Sequence, residues 1–117
     1  MRQRVADLLE QIAAIEAFTA AGKDHFWSDR RTQYAVMRSY EIIGEAVKNL
    51  PLALLARYPN MNWRAATGLR DILIHRYFDV NLEYVWAAVE QLPALRSVVE
   101  TMAADPEVLT DDEADFI

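Results

Sequence analysis

Apolar residues recur at helical spacing along most of the chain. Val5, Leu8, Leu9, Ile12, Ile15 and Phe18 form one stripe, which predicts a first helix from residue 2 to about 21, closed by Gly22. Lys23 to Trp27 reads as a connector, and Ser28 as the N-cap of a second helix opening at Asp29 and running to about Asn49. Tyr34, Met37, Tyr40, Ile43, Val47 and Leu50 line one side of that helix, with Val36 and Ile42 widening the arc. So broad an arc suits a helix packed on more than one neighbour, or at an interface. Gly44 interrupts it at a cost of roughly 1 kcal/mol relative to Ala, so a close helix crossing is expected there.

Pro51 ends the second helix and opens a short one over Leu52 to Arg57, before Tyr58-Pro59-Asn60 breaks the chain. Asn62 is positioned to cap a helix from Trp63 to about His75. Asn81 is positioned to cap the next, with Val80 and Val85 as a hydrophobic staple. Leu82, Val85, Trp86, Val89 and Leu92 carry that helix to Pro93, where it kinks or restarts and continues to Met102. From residue 105 the chain turns acidic, and Pro106 discourages continuation of the helix. The expected organisation is one domain over 1–104 and an acidic flexible tail over 105–117.

The fold class that follows is all-α. Composition agrees: 53% of residues are apolar, against only 3 Gly and 4 Pro. There is no Cys, hence no disulfide framework and no thiolate metal site. The charged N-terminus lacks an apolar leader, and no apolar run reaches the length of a membrane span. These features predict a soluble, cytoplasmic protein. The net charge of -6 argues against a broad polyanion-binding surface, but its distribution is uneven. Residues 54–77 hold Arg57, Arg64, Arg70 and Arg76 against Asp71 alone, while Asp105, Glu107, Asp111, Asp112, Glu113 and Asp115 crowd the end. Any RNA contact should therefore be small and local.

Chemistry concentrates in Gly68-Leu69-Arg70-Asp71-Ile72-Leu73-Ile74-His75-Arg76-Tyr77-Phe78, where polar groups are interleaved with core formers. Imidazole can take a proton from a ribose 2'-hydroxyl at neutral pH, and guanidinium can hold phosphate oxygens as charge builds on phosphorus. Arg70 and His75 thus suit metal-independent cleavage of RNA. The bland account is that Arg70 salt-bridges an acid and His75 ends a helix. On a regular helix the two lie about 140° apart in azimuth and about 7.5 Å apart along the axis, so they share no face. A site using both needs a distorted helix end or a second copy from a partner chain. Asp71, four before His75, can orient the imidazole or form an ordinary surface pair. Tyr77, seven after Arg70, can donate to phosphate or simply be half-buried.

Other candidates are weaker. Trp63, Trp86, Tyr58 and Phe78 can stack bases, although aromatics at helical spacing are more often core. His25 with Asp24 and Asp29 lacks a second well-spaced His and makes a poor metal site, so these read as solvated loop residues. Glu41 and Glu45 pair on one helix with Arg38 and Lys48 nearby, which reads as a self-paired, solvated face.

At these residues the chain resembles a known family. Arg70-Asp71-Ile72-Leu73-Ile74-His75-Arg76-Tyr77 is similar to the Arg-x4-His-x-Tyr motif of the HepT-like ribonucleases, toxin members of the HEPN superfamily. The segments from Arg38 to Ala46, Tyr58 to Arg64, and Val80 to Trp86 with Leu92-Pro93 resemble further family stretches in the same order. The likeness spans roughly residues 5 to 100. It implies a dimerising up-down bundle of four to five helices with two motifs across a shared cleft, Arg70 and His75 as ribonuclease residues, and Asp71 as the supporting polar residue. It also implies that Tyr77 is the tyrosine adenylylated by a cognate nucleotidyltransferase antitoxin. No cofactor and no metal are implied. Arg76 and Asn81 depart from the glycine and aspartate usual in the family, without removing a reacting group. HEPN domains also serve as non-catalytic modules, so a binding partner that docks a nucleotidyltransferase is the alternative.

Overall fold

The computed structural model describes residues 1–76 and 79–110. Among them every regular element is helical: α1 (Arg2–Phe18), α2 (Lys23–Ser28), α3 (Arg30–Lys48), α4 (Leu52–Leu55), α5 (Trp63–His75), α6 (Leu82–Glu90), α7 (Leu92–Ala103) and α8 (Pro106–Leu109). The expected all-α bundle is formed by α1, α3, α5 and α7. In space α3 lies between α1 and α5, and α1 lies between α3 and α7.

The periodic stripes become the core. Val5, Leu8, Ile12 and Ile15 of α1 are fully buried, as are Val36, Ile43 and Val47 of α3 and Leu73 of α5. Phe18 and Tyr34, read as members of their stripes, are substantially exposed. Phe18 is the last residue of α1, and Thr19 closes the helix with its hydroxyl donating to the Ile15 carbonyl at 2.8 Å.

Two cap assignments hold and one shifts. Asn62 Oδ1 accepts from the Ala65 N–H at 3.1 Å, and Asn81 Oδ1 from the Glu83 N–H at 2.9 Å. Ser28, in contrast, ends the short helix α2, and its hydroxyl donates to the Asp24 carbonyl at 3.1 Å. Asp29 caps α3 by accepting from the Arg31 N–H at 3.2 Å, because its carboxylate also takes the Thr32 hydroxyl at 2.7 Å. Lys23 to Ser28 is therefore a helix and not a connector. It buries Phe26, whose ring meets Trp86 with centroids 5.2 Å apart and ties α6 to the body. Pro93 falls in the first turn of α7, where its missing N–H costs nothing, so the chain restarts there.

Asp105 to Thr110, assigned from sequence to the acidic tail, are held against the bundle. Val108 of α8 is buried, and the buried Asp105 pairs with Arg57 at 2.6 Å and accepts from the Tyr58 hydroxyl at 3.1 Å. Residues 111–117 lie outside the described residues. Among the described residues no helix is long and apolar enough to cross a membrane.

Candidate active site

Helix α5 carries the candidate residues, and its start is anchored before its end is reached. Trp63 is buried, and its indole N–H donates to the carbonyls of Leu55 and Tyr58, both at 3.2 Å. Leu69 and Leu73 then hold the helix against the core. The expected close crossing exists and involves the motif itself. A Cβ placed on Gly44 of α3 would lie 2.3 Å from the Arg70 Cβ and 2.9 Å from the Ala66 carbonyl oxygen. Glycine at 44 is what lets α3 and α5 approach until Arg70 lies across the α3 backbone.

The next residue of α3 completes the seat. Glu45 Oε2 meets Arg70 Nη2 at 2.7 Å, and Asp71 Oδ1 meets Arg70 Nη1 at 3.2 Å. Both terminal nitrogens of the guanidinium therefore face carboxylates. The Arg70 side chain is only 20% exposed, whereas Glu45 and Asp71 are 50% and 62% exposed. The screw that holds the arginine is thus set at the crossing, and the acids holding it are hydrated. A phosphate oxygen can compete for either nitrogen, since an exposed ion pair of this kind is a weak bond.

Glu45 was not read as a site residue. Of the expected self-paired face, Arg38 does meet Glu41 at 3.0 Å, but Glu45 reaches across to α5 and also accepts from Asn49 Nδ2 at 3.1 Å. The signal that could have found it is Gly44, because the residue beside a close crossing is the one that reaches the neighbouring helix.

His75 is the last residue of α5, exposed, and followed by Arg76, whose N–H closes the helix on the Ile72 carbonyl at 2.8 Å. Among the described residues its ring makes no hydrogen bond or ion pair. Asp71 pairs with Arg70 and not with the imidazole. One chain therefore brings together Arg70, Asp71 and Glu45 and leaves His75 apart, consistent with the helical geometry. Tyr77 and Phe78, the remaining motif candidates, lie outside the described residues.

The other aromatic candidates have structural partners: Trp63 on the Leu55 and Tyr58 carbonyls, Trp86 on Phe26, and Tyr58 on Asp105. No cluster able to hold a metal ion occurs among the described residues. His25 Nε2 lies 3.2 Å from Asp29 Oδ2 and 3.3 Å from the Thr32 hydroxyl, so His25 and Asp29 belong to the cap of α3. The Thr32 hydrogen bond, then the Arg31 N–H and the charges of His25 and Arg31, hold the Asp29 carboxyl below its ordinary value, against the effect of burial.

Comparison with known proteins supplies the family. The model described as Ribonuclease HepT-like matches residues 8–102. A Methanocaldococcus jannaschii protein named "Putative RNase MJ0127" is 46% identical over 90 residues, covering 76% of this chain and 74% of that protein. A Thermococcus cleftensis protein named "Probable ribonuclease HepT" is 41% identical over 98 residues, covering 82% and 89%. A protein of Caldanaerobacter subterraneus subsp. tengcongensis named "Putative RNase TTE0752" is 38% identical over 87 residues, covering 74% and 78%. No solved structure matches the chain. With a family match running from α1 to α7 and relatives of this identity, the chain belongs to the HepT-like ribonuclease family, an all-α ribonuclease as its sequence leads one to expect.

Proposed function

We propose that this chain is a metal-independent endoribonuclease toxin of a two-gene toxin-antitoxin module, acting in the cytoplasm as a homodimer. The observation that carries the reading is the seat of Arg70, a guanidinium held at a close helix crossing within an Arg-x4-His motif of a ribonuclease family. His75 takes the proton from the ribose 2'-hydroxyl. The 2'-oxygen bonds to phosphorus while the bond from phosphorus to the 5'-oxygen breaks and that oxygen takes a proton from water, leaving a 2',3'-cyclic phosphate and a 5'-hydroxyl. Arg70 offsets the charge that builds on the non-bridging oxygens, and Asp71 steadies Arg70 through their 3.2 Å contact. Because one helix cannot bring Arg70 and His75 to a common point, each site combines the Arg70 of one copy with the His75 of the other. Tyr77 is the residue that a partner nucleotidyltransferase adenylylates to silence the site.

The test compares parent and His75→Ala proteins on total RNA in EDTA. Loss of a proton-transfer group lowers the rate by about 10² to 10⁴, and the helical circular dichroism stays unchanged. Undiminished cutting by the variant removes His75 from the mechanism, and a requirement for added metal removes the chemistry proposed.

A second reading is favoured by the two carboxylates on Arg70 and the net charge of -6: a non-catalytic module that docks a nucleotidyltransferase. Growth arrest on expression of this chain alone separates the two, since only the ribonuclease toxin produces it.

A further inference from the structure

A groove of about 440 Å³ is lined by residues of α3, α5, α6 and α7 and of the segment that leads into α5. Ala66, Leu69, Ala88 and Leu95 contribute apolar lining, and Asn60, Asn62 and Gln91, each bearing a side-chain amide, also line it. None of its lining residues is charged, on a chain with 18 acidic and 12 basic residues. Asn62 spends its Oδ1 on the cap of α5, which leaves its NH₂ as a donor, and among the described residues the side-chain amides of Asn60 and Gln91 make no hydrogen bond. Tyr84, half exposed on α6, offers an aromatic surface at the same groove.

Tyr40 supplies the second observation. It lines the groove from α3, is 5% exposed, and its buried hydroxyl has no hydrogen-bond partner. Buried polar groups are nearly always satisfied, so an unpartnered hydroxyl beside an open groove marks a position where an incoming polar atom is welcome.

We propose that this groove is a nucleobase subsite for the RNA strand. A base is flat, neutral and apolar on its faces, with donors and acceptors on its edge. It therefore matches an uncharged groove with amides in its lining and an aromatic ring for stacking. A phosphate finds no cation here, and an aliphatic side chain leaves the Tyr40 hydroxyl unpaired. The proposal rests on the ribonuclease reading: Ile43 and Leu69 of the groove are the chain neighbours of Gly44 and Arg70, so the base site and the Arg70 seat share the α3–α5 seam. Base contacts also explain how an acidic chain holds RNA, since a neutral base is not repelled by net negative charge.

The experiment follows the methyl resonances of Ala66, Leu69 and Ala88 in the full chain. It titrates the four ribonucleosides, ribose 5-phosphate, and dinucleoside monophosphates. At least one nucleoside is expected to shift these resonances saturably, while ribose 5-phosphate leaves them in place. Ala88→Leu, which fills the groove, should weaken that binding at least tenfold, and Gln91→Ala, which leaves the apolar lining intact, several-fold. A dinucleoside monophosphate should bind more tightly than the nucleoside, with Arg70→Ala abolishing only the added affinity. The proposal is overturned if no nucleoside shifts the groove, if neither variant weakens binding, or if the dinucleotide gains nothing over the nucleoside. It is also overturned if the resonances follow protein concentration alone, which assigns the groove to a second copy of the chain. None of these readouts needs cleavage, so a chain that binds bases as described but cuts no RNA defeats the ribonuclease mechanism and not the subsite.

Discussion

Gly44 and Arg70 meet where α3 crosses α5, so closely that a methyl group on Gly44 would stand 2.3 Å from the Arg70 Cβ. The position of the cationic group of the proposed site is therefore decided by a missing side chain on another helix. Gly44→Ala gains about 1 kcal/mol in helix propensity. It also drives a methyl against the Ala66 backbone carbonyl at 2.9 Å, which cannot rotate away. Overpacking of this kind typically costs about 1–3 kcal/mol, so the clash is expected to win, lowering the thermal midpoint and displacing Arg70. Gly68 is the control, because nothing lies within 4 Å of a Cβ there. Gly68→Ala should raise the midpoint, by roughly 0.5–1 kcal/mol of stability. Thermal unfolding of the two variants tests the pair, and the account of the crossing is lost if Gly44→Ala behaves like Gly68→Ala.

Glu45 holds Arg70 Nη2 at 2.7 Å, so in the proposed site it both orients the guanidinium and competes with substrate phosphate for it. Glu45→Gln keeps the size of the side chain and removes the charge. At a half-exposed ion pair the stability cost should stay within about 1 kcal/mol. The kinetic effect should be larger and split in direction: KM for RNA falls, because the competing carboxylate is gone, and kcat falls, because Arg70 is less fixed. Steady-state cleavage at several salt concentrations measures both, and unchanged values for the two constants would deny Glu45 a place in the site.

The cap of α3 carries a pH dependence with a definite sign. Asp29 titrates below its ordinary 3.8 in the folded chain, chiefly through the Thr32 hydroxyl. A carboxyl with a lowered folded value stabilises the fold at pH above its ordinary value and loses that contribution as pH falls through the folded value. Thr32→Val removes the first cause while keeping the shape. Unfolding midpoints of parent and variant should therefore differ more at neutral pH than in strong acid. A constant difference across that range means the hydroxyl acts by packing and not through Asp29.

The local grammar of the chain was readable from one sequence. Asn62 and Asn81 announce their helices because a cap is a contact between residues two or three apart, and the bounds of α5 follow from Asn62 and the last apolar positions. The cap of α3 at Asp29 in place of Ser28 is equally local, yet it depends on Thr32 and His25 converging on one carboxylate, which spacing does not reveal. Helix α2 was missed because six residues are too few to show a period. The partnership of Glu45 with Arg70 joins positions far apart in the chain, and so does that of Arg57 with Asp105. Such pairs depend on how helices cross, and only Gly44 hinted at where.

If each site is built from two copies, inactive chains should complement one another. Arg70→Ala and His75→Ala proteins are each expected to be inactive alone. In a mixed dimer one of the two clefts pairs an intact Arg70 with an intact His75, so co-expression should restore a measurable share of parental cleavage. Light scattering should show a dimer at micromolar concentration. Mixed dimers that form and still cut nothing would place Arg70 and His75 of the same chain in one site.

The proposed regulation through Tyr77 rests on the family resemblance of the motif, in which Tyr77 stands seven residues after Arg70 and two after His75. Adding AMP to the phenol attaches a bulky anion beside cationic groups that the substrate phosphate requires, blocking the site by charge and by volume without unfolding the helix. Arg70 is the natural counter-ion, because its present partners Glu45 and Asp71 are exposed and exchangeable. Co-expression with the proposed partner nucleotidyltransferase should add the mass of one or more AMP units, lost in Tyr77→Phe, and the modified chain should no longer cleave RNA. Tyr77→Phe should stay toxic in the presence of the partner. A partner that neutralises Tyr77→Phe as well as the parent, with no mass shift in either, acts by docking alone, and Tyr77 then has no regulatory role.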